Sequence, residues 1–283
     1  MKATYKKKKK IKIKKKKLKI LKIIKKSKKI SILLGGGIEK KGFSKIKKKL
    51  LNTNLALFTT WNGADLLAEN DKNNFGRPNT WGQRYANILL QNSDLLISIG
   101  SSLGIQQTGF NYQSFVKRGK IINVDIDKNQ LNKSFPNSEI KIECDALDFL
   151  NYLIKIIDAK TKNRNKLWIQ KCKVIKKLLP TNEKYNNYTG KKFISPYDFY
   201  IKISKILGDN DNICPCSSGG AETTFFQSFK FKKNQTCINN KALASMGYGL
   251  AGAIGLALSN QKKRTCLFEG DGGFTQNLQE IGI

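Results

Sequence analysis

The segment Gly270-Asp271-Gly272-Gly273-Phe274 follows the apolar run Thr265–Phe268 and precedes Asn277-Leu278-Gln279-Glu280. This pattern predicts a strand that ends in a glycine turn, with a helix beginning behind the turn. A carboxylate at such a turn can bind a divalent cation, while backbone amides beside glycine can reach phosphate oxygens. Asp-Gly is also a common turn dipeptide, so these residues alone leave a purely structural turn equally open.

A second segment lies upstream, where Ala244-Ser245-Met246-Gly247 leads into a helix of small residues that ends near Leu258. Small side chains allow close backbone packing. Together the two segments resemble the cofactor-binding domain of thiamine diphosphate-dependent enzymes, specifically the acetolactate synthase-like group. In that group a Ser-Met-Gly turn and a helix precede a GDG-x-F-x-x-x-x-x-E motif. The resemblance covers the order, the spacing and the flanking residues.

The resemblance extends toward the amino terminus. Ser195-Pro196-Tyr197 opens a predicted helix to Leu207, and residues 213–229 are typical of a strand, a small-residue turn and a helix, as at the start of that family's diphosphate-binding domain. Earlier segments look like the family's central domain, and the chain follows the family in register from about Lys28. These earlier segments are residues 79–87, 93–101 and 121–127.

Residues 30–157 alternate β-rich runs with helical segments, which predicts a parallel sheet with helices on both faces. The predicted elements are strand Ile30 to Leu34, helix Gly42 to Leu51, strand Ala56 to Thr59, helix Ala86 to Gln91, strand Leu95 to Ile99, strand Lys120 to Val124 and helix Ala146 to Ile156. The predicted fold class is α/β, with a Rossmann-like central domain followed by a truncated α/β diphosphate-binding domain.

The predicted domain division has four parts: a Lys-rich linker helix at 1–29, the central domain at 30–157, a polar linker at 158–194 and the diphosphate-binding domain at 195–283. In the stretch from Lys14 to Lys29, Leu18, Leu21 and Ile24 recur every three residues, with Ile20 and Ile23 beside them. This spacing predicts a surface helix with a buried stripe. In the second linker, Trp168 and Cys172 stand at helical spacing and Pro180 is a helix breaker.

The net charge of +33 makes a basic, nucleic-acid-associated protein one hypothesis. The charge is concentrated, since the first 50 residues carry 23 lysines and one glutamate, and Asn, Ile and Lys are abundant throughout. We therefore expect no nucleic-acid partner. The sequence has no apolar run of about 18 residues, so we expect no membrane span. No targeting signal is recognisable. The six cysteines lack the spacing of a zinc site and favour a reduced, cytoplasmic location.

The resemblance implies roles for individual residues. Asp271 would be the first protein ligand of a Mg²⁺ ion that bridges the diphosphate of thiamine diphosphate. The turn Gly270–Gly273, with Gly272 and Gly273 above all, would bring backbone amides to the phosphates. The second half of this phosphate cradle would be formed at a helix amino terminus by Ser218, Gly219 and Gly220.

The Ala244-Ser245-Met246 turn would hold the other end of the cofactor. Met246 would be an apolar wedge that bends the two rings of thiamine toward each other, and the Ala244 carbonyl would accept a hydrogen bond from the aminopyrimidine. Filling of the core is the alternative role for Met246.

The central domain of related enzymes holds FAD, ADP or neither. The glycines Gly35–Gly37 after the first predicted strand could approach a phosphate. Asp125 and Asp127 could contact a ribose, and a turn acid and a helix cap are the alternative roles that we favour for them.

Two departures from the family matter. The family completes its metal site with an asparagine some two dozen residues beyond the motif aspartate. It activates the cofactor with a glutamate of an N-terminal pyrimidine-binding domain. We expect neither this asparagine nor this glutamate from the sequence. No histidine could act as a general base, and no residue of this chain is assigned a catalytic role. We expect a fragment or split-gene product that is inactive alone.

Full-length relatives decarboxylate a 2-oxo acid and transfer the resulting acyl carbanion to an acceptor. The expected partners are therefore a small 2-oxo acid and either a second copy of the chain or a separate chain carrying the pyrimidine-binding domain. The main alternative is a Rossmann-like nucleotide-binding module without catalysis.

Overall fold

The computed structural model describes residues 16–183, 190, 192–216, 218–240 and 243–282. Its first sheet has five strands in the order β2-β1-β3-β4-β5, all parallel. The strands are β1 (Ile30–Leu34), β2 (Ala56–Thr59), β3 (Leu95–Ile99), β4 (Lys120–Asp125) and β5 (Ile140–Glu143). Every residue of β1, β2 and β3 is buried, as expected for apolar strands covered by helices on both faces.

The helices that accompany this sheet cover both of its faces. They are α1 (Lys17–Lys26), α2 (Lys40–Leu51), α3 (Arg84–Gln91), α4 (Ile105–Thr108), α5 (Lys128–Leu131), α6 (Ala146–Ile156), α7 (Ala159–Arg164) and α8 (Lys166–Leu178). One buried cluster joins α1, α2 and α6 to one face of the sheet, and a second cluster joins α3 and α8 to the other. The parallel α/β fold class predicted from the sequence is confirmed.

Local sequence explains where several helices begin. The Glu39 side chain accepts hydrogen bonds from the Lys41 and Gly42 amides, so α2 begins two residues before the predicted start. The Asp145 side chain caps α6 in the same way, through the Leu147 and Asp148 amides. Strand β5 was not predicted, because a four-residue alternation of half-buried and buried positions gives little signal.

The basic amino-terminal helix differs from its predicted packing. It buries Ile20, Ile23 and Ile24, whereas Leu18 is 82% exposed, so the predicted stripe is wrong at Leu18 and right at Ile24. The buried face is set by the sheet against which α1 packs, where Ile20 and Ile24 join the cluster around β1. The predicted helical stretch before Lys16 lies outside the described residues.

The predicted linker at 158–194 contains α7 and α8. Trp168, Ile169 and Cys172 of α8 are buried against the face of the sheet that α3 also covers. The helical spacing of Trp168 and Cys172 is therefore a packing pattern. The domain boundaries at 157 and 194 stay predictions.

A second sheet follows α9 (Pro196–Ile206). Its three parallel strands are β6 (Asn212–Pro215), β7 (Thr236–Cys237) and β8 (Thr265–Phe268), in the order β7-β6-β8. The remaining helices are α10 (Gly219–Ser228), α11 (Tyr248–Ser259), α12 (Asp271–Thr275) and short 3-10 turns. No helix in the described part of the chain is both long and apolar enough to cross a bilayer.

The two sheets share a core at their junction. Trp61 stacks on Phe226 of α10 with ring centroids 4.8 Å apart, and Trp61 and Ala64 belong to the cluster around Phe225. The guanidinium of Arg77, which is 2% exposed, donates to the carbonyl oxygens of Phe226 and Phe229, each at 2.7 Å. These contacts join the first sheet to the carboxyl end of α10.

A buried carboxylate forms a further link at this junction. Asp65 Oδ2 accepts from Lys40 Nζ at 2.5 Å and from the Cys237 amide at 2.7 Å. The Asp65 side chain is 1% exposed and that of Lys40 is 45% exposed, so only the Asp65 end of this ion pair is buried. Together with the Arg77 contacts, these bonds join the second sheet to the first through buried charged groups, although Asp65 Oδ1 has no hydrogen-bond partner among the described residues.

Candidate functional site

The topology of the second sheet gathers three loops at one edge. The three strands are parallel, so the segments after β6, β7 and β8 all leave the sheet at its carboxyl end. These segments carry the residues predicted to bind the cofactor: Ser218, Gly219, Gly220, Ala244, Ser245, Met246, Gly270, Asp271, Gly272 and Gly273. Ligands of open parallel α/β sheets bind outside this edge, beside the central strand, which here is β6.

The loop after β6 leads directly into a helix amino terminus. Cys216 pairs with β8 through a hydrogen bond from its amide to the Phe268 carbonyl at 2.6 Å, and α10 begins three residues later. Ser218 is the N-cap and makes no side-chain cap bond. Gly219 has φ +74 and, like Gly220, is exposed with no atom within 4 Å of an added Cβ. The backbone at the start of α10 is therefore open to close approach from outside.

The segment before α11 forms a tight turn with two left-handed residues. Ala244 has φ 52 and Gly247 has φ 85, and the side chain of Met246 between them is 64% exposed. A Cβ on Gly247 would lie 2.9 Å from Asn277 Nδ2, so glycine is required there by both conformation and space. Because Met246 is exposed within the described chain, filling of the core does not account for it.

The glycine turn after β8 contains internal hydrogen bonds that the sequence does not predict. Asp271 is exposed at the first position of α12, and its Oδ1 accepts from the Gly272 amide at 2.9 Å. The Gly270 amide donates to Glu269 Oε1 at 3.1 Å. Two of the predicted phosphate-binding amides thus bond to neighbouring carboxylates, and Asp271 keeps its second oxygen available for a cation.

Glu269 and Asn277 hold the second and third loops together. Asn277 Nδ2 donates to the Gly247 carbonyl at 2.7 Å, which ties the segment after α12 to the Ala244–Gly247 turn. A Cβ on Gly249 or on Gly273 would lie 1.7 Å or 2.6 Å from a Glu269 carboxylate oxygen. The two glycines therefore let α11 and α12 close around this carboxylate.

The thiols beneath this edge are buried. Burial, together with a smaller effect of the nearby Glu269 carboxylate, raises the pKa of Cys214 to about 12 and that of Cys216 to about 11. Neither thiol is activated as a nucleophile. Among the described residues, no group of three or more His, Cys, Asp or Glu side chains could hold a metal ion by itself.

A separate cleft of about 560 Å³ opens at the carboxyl edge of the first sheet. It lies where the strand order reverses between β1 and β3, and its walls include Gly36, Gly37, Gly100 and Asp125. The Gly37 amide donates to the Gly100 carbonyl at 2.9 Å, and a Cβ on Gly35 would clash with the same carbonyl at 2.1 Å. The three glycines after β1 are thus explained in part by close packing of two turns.

Asp125 and Asp127 take the structural roles that we favoured. Asp127 caps α5 by accepting from the Asn129 amide at 2.8 Å, and Asp125 Oδ1 accepts from the Asp127 amide at 2.9 Å. Burial raises the pKa of Asp125 above its ordinary value. Asp125 also lines the cleft, so its contact with a bound ligand stays open.

Comparison with known proteins supplies two family matches in the same order. Residues 18–153 match the central domain of thiamine pyrophosphate enzymes, and residues 217–283 match their C-terminal TPP-binding domain. The chain belongs to the thiamine pyrophosphate enzyme family. The second match begins just after β6, at residue 217, and from there covers the three loops at the carboxyl edge of the second sheet.

Relatives of this thiamine pyrophosphate enzyme family member include acetolactate synthases. The chain is 29% identical over 278 residues to a probable acetolactate synthase large subunit of Methanococcus aeolicus, covering 93% of this chain and 45% of the relative. It is 27% identical over 265 residues to chloroplastic acetolactate synthase 2 of Nicotiana tabacum, covering 93% and 39%. The chain is therefore acetolactate synthase-like and spans less than half the length of these relatives.

Three residues of this family member were not singled out from the sequence. They are Arg77, Glu269 and Asn277. Arg77 and Asn277 donate hydrogen bonds to carbonyl groups that are distant in the chain. Glu269 occupies the space that two glycines leave open. The only sequence signal for Glu269 is its position directly before the GDG motif. Arg77 and Asn277 carry no local signal, because their partners are defined by the fold.

Proposed function

We propose that this chain provides the diphosphate-binding side of a thiamine diphosphate and Mg²⁺ site in an acetolactate synthase-like enzyme. That enzyme would decarboxylate a 2-oxo acid and transfer the acyl group to an acceptor. The observation that carries the proposal is the convergence of three loops, after β6, β7 and β8, at one edge of a parallel sheet. The family matches and the acetolactate synthase relatives support it.

The donor groups fit a diphosphate. Gly219, Gly220, Gly270 and Gly272 all have open space where a Cβ would stand, so phosphate oxygens could approach the backbone closely. The amino end of α10 adds a partial positive charge to the same place. We expect Ser218, Gly219 and Gly220 to bind phosphate oxygens through their amides.

Asp271 is our candidate for the Mg²⁺ ligand. It is exposed beside the glycine turn, and one of its carboxylate oxygens is not used by the Gly272 amide. A hard cation prefers such an oxygen and would link it to the phosphates. We propose that a conformational adjustment frees the Gly272 and Gly270 amides when a diphosphate is present.

The Ala244–Gly247 turn is our candidate for contact with the thiamine rings. Met246 projects far enough to be 64% exposed, which suits an apolar side chain that packs against a ligand. The left-handed conformation at Ala244 and Gly247 and the Asn277 bond fix the turn. When bound, thiamine diphosphate supplies an electron sink for decarboxylation; the chain's own residues bind it and set its orientation.

The proposed assembly includes a second chain. Relatives of this chain include proteins named acetolactate synthase large subunits. We propose either a homodimer or pairing with a chain that carries a pyrimidine-binding domain. A cytoplasmic location is part of the same proposal, and the six free thiols fit a reducing compartment.

The proposal is tested by co-expressing the full chain with a pyrimidine-binding domain of an acetolactate synthase relative and titrating thiamine diphosphate in the presence of Mg²⁺. We expect Asp271→Asn to weaken binding at least tenfold, while the circular dichroism spectrum is unchanged. The matched control is Asp209→Asn, whose carboxylate is also exposed. If Asp271→Asn instead costs about 1 kcal/mol of stability with unchanged cofactor affinity, Asp271 is a turn residue.

The first-sheet cleft supports a second candidate ligand. Its position at the reversal of strand order is the usual nucleotide position in parallel α/β folds. We propose FAD or ADP as its occupant. Absorbance of the purified chain near the flavin bands and calorimetric titration with ADP test this separately from the thiamine diphosphate site. Absence of both ligands would leave the cleft a structural feature.

A further inference from the structure

A basic cleft lies at the opposite, amino edge of the first sheet. It has a volume of about 440 Å³ and is formed by the side of α1 and the segments that enter β3 and β4. Five cationic side chains line it: Lys19, Lys22, Lys26, Arg118 and Lys120. The residues that line this basic cleft are all outside the loops of the candidate cofactor site and of the first-sheet cleft.

The two carboxylates in the cleft are already engaged. Asp94 accepts from the Lys28 and Lys29 amides at 2.8 Å and 2.9 Å. Glu139 forms an ion pair with Lys19 at 2.8 Å, and the hydrogen bond from Lys19 and the charge of Lys120 hold the pKa of Glu139 below its ordinary value. Both carboxylates are therefore already partnered by groups of this chain.

The remaining cations are free to meet an anion. Within the described part of the chain, Lys22, Lys26 and Arg118 form no ion pair, and all three are exposed. Helix α1 presents Lys22 and Lys26 one turn apart, on the rim of the helix whose Ile20 and Ile24 are buried in the core. The lysine backbones are thus held in place before any ligand binds, which reduces the entropic cost of binding.

We propose that this cleft binds a compact polyphosphate anion, held by Lys22, Lys26, Arg118 and Lys120. The cleft volume lies within the range of about 300–1,000 Å³ that is typical of small-molecule pockets. The already partnered Asp94 and Glu139 carboxylates border the cations on the sheet side, so the cationic part of the cleft is short and suits a compact anion better than an extended nucleic-acid backbone. A short phosphate chain can occupy the cationic part alone, with Arg118 available for bidentate contact.

Lysine labelling on the full chain tests this assignment. Inorganic tripolyphosphate is added at low ionic strength, the lysines are acetylated briefly, and the modified peptides are quantified by mass spectrometry. We expect severalfold protection of Lys22, Lys26 and Lys120. The exposed α2 lysines Lys41, Lys45 and Lys48 are internal controls outside the cleft, and we expect them to be labelled at an unchanged rate.

Matched variants give a second readout. Lys22→Gln/Lys26→Gln/Arg118→Gln should weaken tripolyphosphate binding about tenfold by calorimetry, since three exposed charges of modest individual effect are removed. The control Lys41→Gln/Lys45→Gln/Lys48→Gln removes the same charge from α2 and should leave affinity within about twofold. If the cleft variant does not fold, the labelling result alone decides.

Three outcomes would overturn the proposal. The first is protection spread equally over the α2 lysines or the lysines of residues 1–15, which would show general attraction of anions to a basic chain. The second is stronger protection of the cleft by single-stranded DNA than by tripolyphosphate at equal phosphate concentration, which would indicate nucleic acid. The third is no protection at all.

Discussion

The two sheets of the molecule differ in how they are stabilised. The first sheet buries every residue of its edge strand β2 and of its inner strands β1 and β3, and helices cover both of its faces. In the second sheet, all four residues of β8 are half-buried, and its core is shared with Trp61 and Ala64 from the first region. The predicted cofactor loops are therefore attached to the less buried sheet, whose geometry depends on contacts with the more buried one.

This difference has a functional consequence. The amino end of α10 carries Ser218–Gly220, while its carboxyl end is held by Arg77 through two carbonyl bonds. A rigid helix transmits the position of one end to the other. The first sheet thus takes part in placing the proposed phosphate cradle, although none of its residues belongs to that cradle.

Paired core truncations give the largest expected effect. Phe225→Ala and Phe149→Ala each remove a fully buried ring and should each cost about 3–5 kcal/mol. Hydrogen exchange should separate them: Phe225→Ala should accelerate exchange in β6 and α10 and leave β1 and β3 protected, whereas Phe149→Ala should accelerate exchange in both sheets. Equal acceleration of both sheets by Phe225→Ala would show that the first sheet depends on the second as well.

Removal of the Arg77 contacts should have a smaller effect at the junction. Arg77→Met keeps an apolar stem and leaves two buried carbonyl oxygens without their donor, so we expect a loss of about 2–3 kcal/mol. The control is Arg84→Met, because Arg84 is exposed and pairs only with Glu183 within the described chain, an interaction worth at most about 1 kcal/mol. Equal losses of unfolding free energy for the two variants in a denaturant titration would contradict the dependence of α10 on Arg77.

The smallest effect concerns acid stability of the second sheet. Burial opposes ionisation of Asp211, but hydrogen bonds from Arg264 and the Gly208 amide hold its pKa below the ordinary value. A lowered folded-state pKa contributes stability that is complete above the unfolded value of about 4 and is lost as pH falls through the folded value. Asp211→Asn should therefore narrow the difference in stability between neutral pH and pH of about 3. An unchanged pH profile in thermal denaturation would contradict this role.

Local patterns in the sequence were enough for four of the five strands of the first sheet and for the position of the glycine turn after β8. Continuous apolar runs such as Ile30–Leu34 are strands in the structure, and the Gly270–Gly273 turn follows β8 directly. The spacing of apolar residues failed as a signal where the element packed against a helix decides which of its residues are buried. Leu18 has the spacing of a buried residue but lies off the face of α1 that contacts the sheet.

Long-range contacts explain the rest of what the sequence did not predict. The bonds of Arg77 to α10 and of Asn277 to Gly247 join residues that no periodicity connects. The Gly272 amide bonds to its neighbour Asp271, although its glycine motif predicts an amide directed at phosphate. A motif thus predicts which residues gather at a site, and the fold determines their hydrogen bonds before a ligand is present.

The most direct test of the account is hydrogen exchange of the co-expressed complex with and without thiamine diphosphate and Mg²⁺. The account predicts slower exchange at all three loops together, around Gly219–Gly220, Ser245–Gly247 and Gly270–Gly273, with no change at Gly35–Gly37 of the first-sheet cleft. Slower exchange at Gly35–Gly37 with the three loops unchanged, or in only one of the three loops, would contradict the claim that they form one cofactor site.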